Sequence, residues 1–220
     1  MSLRERLSGS PLAIRVVPFA IFVLLTAAQG RLGAESAYWF YLAKTLAGAG
    51  MILALRPFIA EMRWAVSWEA IMIGVGIFAL WVGLDPYFPH WMKSEPSNPV
   101  SQFSGRPALA WFFIGIHVVG MTLVVPPLEE VFYRSFLYRF IAAKDFMAVP
   151  LNRFLPLPFL VTTAAFGFEH SQWLSGILCG AAYQWLVLRK NRLGDAMTAH
   201  AITNFLLGVW VVCKGDWHYW

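Results

Sequence analysis

Apolar residues run through this chain in stretches of fifteen or more, as over 70–84, with none of the alternation that a barrel strand shows. A hydrocarbon core about 30 Å thick is crossed by about 20 mostly apolar residues in a helix. Within that layer every backbone N–H and C=O must be paired inside the protein, which leaves helices and closed barrels. The expected fold is therefore all-α, a multi-pass transmembrane helical bundle of about eight helices with a polar intramembrane cavity. Candidate spans are 12–28, 37–55, 64–84, 107–125, 128–142, 155–168, 172–189 and 194–213, the fifth and sixth being short enough to tilt, break or cross only in part. Composition agrees, because 59% hydrophobic against 13% charged residues is too apolar for a soluble domain of 220 residues.

No polar low-complexity stretch divides the chain. The longest non-apolar segment, 85–106, holds Pro86, Pro89, Pro96 and Pro99 and reads as a loop, so a single membrane domain over 1–220 is expected. The first apolar run follows Arg4 and Arg6 as in a signal peptide, but no small-residue cleavage site follows it, and it reads as a retained helix or signal anchor. The net charge of +5 is scattered through short loops and forms no patch, which argues against nucleic acid and for membrane lipids as surroundings. The positive-inside rule, applied to eight spans with the N-terminus inside, meets a conflict. It puts Arg4, Arg6, Arg56, Arg63 and Lys214 inside but Arg31, Lys93, Arg106, Lys144, Arg153, Arg189, Lys190 and Arg192 outside. Either the N-terminus is outside, or the fifth or sixth segment re-enters without crossing.

Several residues have structural readings. Cys179 and Cys213 are too few for a disulfide framework and read as buried small hydrophobes. Gly176 and Gly180 have the small-xxx-small spacing of close helix contact. The tryptophans near span ends, Trp64, Trp68, Trp91, Trp111, Trp217 and Trp220 among them, read as interfacial belts. His117 lines a cavity or hydrogen-bonds a neighbour, Lys44 snorkels or pairs with an acid, and Glu69 sits at an interface.

Three polar pairs then stand out within apolar sequence: Glu129-Glu130-x-x-x-Arg134, Phe166-x-x-x-His170 and His200-x-x-x-Asn204. Each pair is spaced i, i+4, on one helix face. An ionisable side chain at membrane depth costs roughly 2.5–3.5 kcal/mol on insertion scales, so several together indicate use. Pro126-Pro127 predict a helix start, with Glu129 and Glu130 in its first turn under the favourable end of the helix dipole. Glu130 can pair with Arg134 while Glu129, about 100° around, stays free to react. Glu169 faces away from His170 and reads as a rim residue. A carboxylate, two imidazoles and an amide suit water activation with oxyanion stabilisation, and hence amide or ester hydrolysis. Zinc is the competing use of the same residues, but the H-E-x-x-H pattern is absent and no cofactor is expected.

In this order and spacing the motifs Glu129–Arg134, Phe166–His170 and His200–Asn204 resemble the CAAX prenyl protease and bacteriocin-processing family over about 126–205. The resemblance implies an eight-helix intramembrane glutamate endopeptidase acting on a membrane-borne or lipidated peptide. Glu129 and His170 would activate water, His200 and Asn204 would form the oxyanion hole, and Glu130, Arg134 and Phe166 would support them. The compact chain is more similar to bacterial members, which implies the bacterial cytoplasmic membrane. The alternative is a non-enzymatic immunity factor, scaffold or transport protein that uses the same buried residues to hold its bundle together or bind a ligand.

Overall fold

The computed structural model describes residues 9–90 and 97–220, so Arg4, Arg6, Trp91, Lys93 and Pro96 lie outside the described residues. Among the described residues the chain is all-helical: α1 (Ala13–Ala28), α2 (Ser36–Leu55), α3 (Trp68–Leu84), the single turn α4 (Pro99–Gln102), α5 (Pro107–Ala142), α6 (Pro156–Phe168), α7 (Trp173–Lys190) and α8 (Gly194–Lys214). Four helical segments are long and apolar enough to cross a membrane: Ser36–Phe58, Trp68–Tyr87, Pro107–Ala142 and Gly194–Lys214. Leu46, Leu53, Met72, Trp111 and Leu160 point outward from the bundle, as expected of a surface solvated by lipid. The all-α membrane bundle is as the apolar runs predict.

Local chemistry sets the helix ends. Ser67 caps α3 by accepting from the Ala70 N–H at 3.3 Å. Asn191 (φ 52°) ends α7 and Gly215 (φ 73°) ends α8, both in the left-handed conformation that closes a helix. Packing within the bundle depends on small residues. A Cβ at Gly74 on α3 would lie 2.7 Å from the Ala199 carbonyl oxygen of α8. Gly167 on α6 faces Gly176 on α7 so closely that a Cβ on Gly176 would lie 2.9 Å from Gly167 Cα. The small-xxx-small reading is borne out there. Gly176→Val therefore drives a side chain into backbone, and thermal unfolding in detergent should show a loss of about 1–3 kcal/mol, the usual range for overpacking.

The predicted spans 107–125 and 128–142 are one continuous helix, α5. Its turns are α-helical except over Gly120–Val124 and Val131–Leu137, where the helix widens to π geometry. Pro126 and Pro127 thus sit inside a helix and do not begin one. They are accommodated because the wide turn ahead of them shifts the hydrogen-bond register: the Val125 N–H reaches back five residues to the Gly120 carbonyl. Glu129 and Glu130 accordingly lie far from any helix N-terminus, and the predicted dipole effect is absent.

One continuous helix also removes the charge conflict, because every element after it is turned over relative to the eight-span reading. At one end of the bundle Arg15 pairs with Glu61 (2.6 Å), Arg139 with Glu61 (2.9 Å) and Lys190 with Glu69 (2.6 Å). Arg56, Arg63, Lys144, Arg153, Arg189 and Arg192 lie at that same end, in the loops and helix termini between α2 and α3, α5 and α6, and α7 and α8. At the other end Arg106 pairs with Glu35, His218 with Asp85 (3.0 Å), and the Trp173 indole N–H donates to the Pro89 carbonyl (3.0 Å). Among the described residues only Arg31, Arg106 and Lys214 are basic there, while Lys44 and Arg134 are buried between the ends. Trp64 and Trp68 lie at the basic end and Trp217 at the other, while Trp220 folds back onto His117.

The remaining readings divide. His117 is stacked between Tyr41 and Trp220, centroids 4.1 and 4.2 Å away, and serves packing. Lys44 forms no salt bridge among the described residues, though the charges of Glu129 and Glu169 act on it; its ammonium donates to Thr26 Oγ1 and Gln29 Oε1, both at 3.0 Å. Glu69 is paired at the basic end. Cys179 is buried, whereas Cys213 is exposed on the outer face of α8, contrary to the reading of both as buried.

Candidate active site

The three polar pairs come from α5, the end of α6, and α8, and they meet around two rings, Phe166 and His200. Glu130 and Arg134 form the expected i, i+4 ion pair, Nε to Oε2 at 3.3 Å, with neither side chain more than 1% exposed. Arg134 also donates to the Gly180 carbonyl at 3.3 Å and lies 4.4 Å above the Phe166 ring. Charge pairing and the ring face together hold a guanidinium that would otherwise be costly to bury.

His200 stands between the two glutamates. Its Nδ1 is 3.1 Å from Glu130 Oε1, and its Nε2 is 3.9 Å from Glu129 Oε2. A carboxylate only accepts, so Glu130 holds the proton on Nδ1 and Nε2 is turned toward Glu129. Tyr183 stacks on the imidazole at 5.1 Å and donates its hydroxyl hydrogen to Thr203 Oγ1 at 2.7 Å. The ring is therefore fixed on its face and at one nitrogen.

His170 follows α6, and its Nδ1–H donates to the Phe166 carbonyl at 2.9 Å. A carbonyl also only accepts, so Nε2 carries the lone pair of the neutral ring. Trp81 meets the ring edge-on at 5.3 Å, and burial there pushes the imidazole below its ordinary value of 6.5. The Phe166 ring lies 5.1 Å from the His170 ring and 5.9 Å from the His200 ring, which makes it the spacer between them.

Asn204, one turn beyond His200, donates from Nδ2 to the Met121 carbonyl at 2.7 Å. That carbonyl is left open by the wide turn of α5. In α register its donor would be Val125, which bonds to Gly120 instead; in π register it would be Pro126, which has no N–H. One Asn204 N–H thus closes a gap that the prolines create, and the second N–H is left for another acceptor.

A cavity of about 150 Å³ is lined by Trp81, Phe166, His170, Gln172, His200, Thr203 and Asn204, with Met121 and Tyr219 beside them. His170, His200 and Asn204 are brought together there, as the motifs predict. Glu129, Glu130 and Arg134 are not among its lining residues and reach it through His200. Glu169 is exposed and accepts from the Tyr133 hydroxyl at 2.6 Å, in keeping with a rim position. Among the described residues no group of three or more His, Cys, Asp or Glu side chains is set to hold a metal ion.

Three further residues belong to this arrangement without having been singled out in the sequence. Tyr133 and Thr203 sit inside the first and third motifs, so motif membership was their signal. Tyr183 lies in an apolar helix, and nothing in the sequence marks it.

A family model, Rce1-like, described as type II CAAX prenyl endopeptidase Rce1-like, matches residues 110–206. That segment runs from α5 into α8 and contains all three motifs. No curated protein and no solved structure matches the chain. The family that the three motifs resemble is thus the family whose model this chain matches, the Rce1-like, type II CAAX prenyl endopeptidases.

Proposed function

We propose that the chain is an intramembrane endopeptidase that cleaves a membrane-associated or lipidated peptide with water activated by Glu129 and His170. The family match supports the CAAX-type endopeptidase class. The observation that carries the mechanism is His200, held by Glu130 and facing Glu129, in a cavity it shares with His170 and Asn204. On this reading the protein is a single-domain, multi-pass protein of a bacterial cytoplasmic membrane.

Glu129 takes a proton from the attacking water while His170 Nε2 accepts the other O–H and orients it. The water oxygen bonds to the scissile carbonyl carbon, and the carbonyl π electrons move to oxygen. His200, doubly protonated so that Nδ1–H stays on Glu130 while Nε2–H donates, stabilises that oxyanion together with the second Asn204 N–H. The proton held by Glu129 passes to the leaving nitrogen as the C–N bond breaks, which releases an amine and a carboxylic acid, and the acid then loses the water's second proton to solvent to become a carboxylate. Glu130 and Arg134 hold His200 in place, and Phe166 sets the spacing of the two imidazoles. All these groups belong to the chain, and no step uses a metal.

The test is cleavage of a panel of fluorogenic prenylated and unlipidated peptides by protein in liposomes, with and without chelator. His170→Gln should lower kcat about 10²-fold, within the general acid–base range, and chelator should have no effect. Because burial lowers the His170 pKa, its imidazole is neutral at pH 7 and becomes protonated only below 6.5. The part of the acid limb that His170 contributes should therefore lie below pH 6.5 and be lost in His170→Gln, while the limb that reports ionisation of Glu129 remains. Chelator inhibition reversed by added metal would instead move these residues into a metal site.

A further inference from the structure

The two ends of the bundle differ in charge, and the cavity reaches only one of them. Nine of the basic side chains among the described residues, from Arg15 to Arg192, gather at one end, against Arg31, Arg106 and Lys214 at the other. All the loops concerned are short, which is the condition under which lysine and arginine bias sets orientation. The basic end is therefore cytoplasmic. Arg139 and Arg15 both engage Glu61 there, and Ser135 donates to the same carboxylate; a separate cavity of about 470 Å³ at that end, lined by Glu61, Arg63, Arg139 and Arg192 among others, shares no lining residue with the one that holds His200.

The cavity runs the other way. Its deepest lining residue is His200, six positions into α8 from the basic end, where Glu130 and Arg134 stand behind it. From there the lining passes Asn204 and Trp81 to Gln172, in the α6–α7 connection, and Tyr219, beyond α8. Both belong to the basic-poor end, where Trp173 meets Pro89 and His218 meets Asp85. None of the three loops of the basic end, 56–67, 143–155 and 191–193, contributes a lining residue.

We infer that the site opens toward the non-cytoplasmic face of the membrane and takes peptides presented from that side. This rests on the peptidase reading for the word substrate, while the orientation stands on charge and cavity geometry alone. Substrates of this class are segments of exported or membrane-anchored proteins whose cleavage site has already crossed the bilayer.

The test separates the two parts. In a cysteine-free background (Cys179→Ala, Cys213→Ala), single cysteines replace Ser171 at the mouth, Gly105 at the same end and Asn152 at the basic end. Gly105 and Asn152 are exposed, and a Cβ at Gly105 meets nothing within 4 Å, so these sites tolerate the change. A membrane-impermeant maleimide applied to intact bacterial cells, with the outer membrane opened where there is one, should label Ser171→Cys and Gly105→Cys. Asn152→Cys should label only after the cytoplasmic membrane is broken. The reverse pattern, or labelling of Asn152→Cys in intact cells, overturns the orientation. Wild-type protein in right-side-out vesicles should cleave the fluorogenic panel added outside, and inside-out vesicles should not; cleavage confined to inside-out vesicles overturns the inference. Labelling as expected with no cleavage in either vesicle leaves the orientation standing and counts against the peptidase reading.

Discussion

Glu129→Gln should abolish cleavage while leaving the bundle folded. The substitution keeps the size and hydrogen-bonding capacity of the side chain and removes only the carboxylate that accepts the proton from water. A loss in kcat of about 10⁴-fold is expected, at the upper end of the general acid–base range. Thermal unfolding should change little, because Glu129 is not the partner of Arg134; that role belongs to Glu130 at 3.3 Å. Turnover on the fluorogenic panel, measured beside thermal unfolding in detergent, checks both halves. A variant that cleaves at the wild-type rate contradicts the assignment of Glu129.

Arg134→Met should have the opposite profile. It strips a guanidinium from Glu130, which is itself fully buried, and leaves His200 as the remaining partner of that carboxylate. Breaking a buried ion pair from one side costs about 3–5 kcal/mol. Replacing both partners, Glu130→Gln with Arg134→Met, should recover most of that loss, since no buried charge then lacks a partner. Activity should not return, because the hydrogen bond that fixes His200 loses its charge. These two variants also separate the enzyme from a scaffold, immunity or transport protein. In such a protein Arg134 would matter for any cellular phenotype and Glu129→Gln would be silent.

The sequence made the membrane class legible because continuous apolar runs permit few structures, and it made the motif residues legible because charge at membrane depth is rare. Glu130 with Arg134 and the common cavity of His170, His200 and Asn204 follow from i, i+4 spacing and family resemblance. What spacing could not show was the continuity of α5. Two adjacent prolines ordinarily mark a helix start, and only the three-dimensional fold reveals that a π turn over Gly120–Val124 and the Asn204 amide absorb the missing donors. That one misreading displaced Glu129 from mid-helix to a helix terminus. It also turned the charge distribution of the second half upside down. Tyr183 was illegible for a different reason: a tyrosine in an apolar helix has no periodic or charge signature, and its use depends on which ring lies across from it.

The most direct measurement is cleavage of the peptide panel by reconstituted wild type and Glu129→Gln in water enriched in heavy oxygen, read by mass spectrometry with chelator present. The account predicts that wild type produces a new carboxyl terminus carrying heavy oxygen from solvent and that Glu129→Gln produces none. Cleavage by Glu129→Gln at the wild-type rate, or a wild-type product whose new carboxyl terminus takes no oxygen from water, would contradict it.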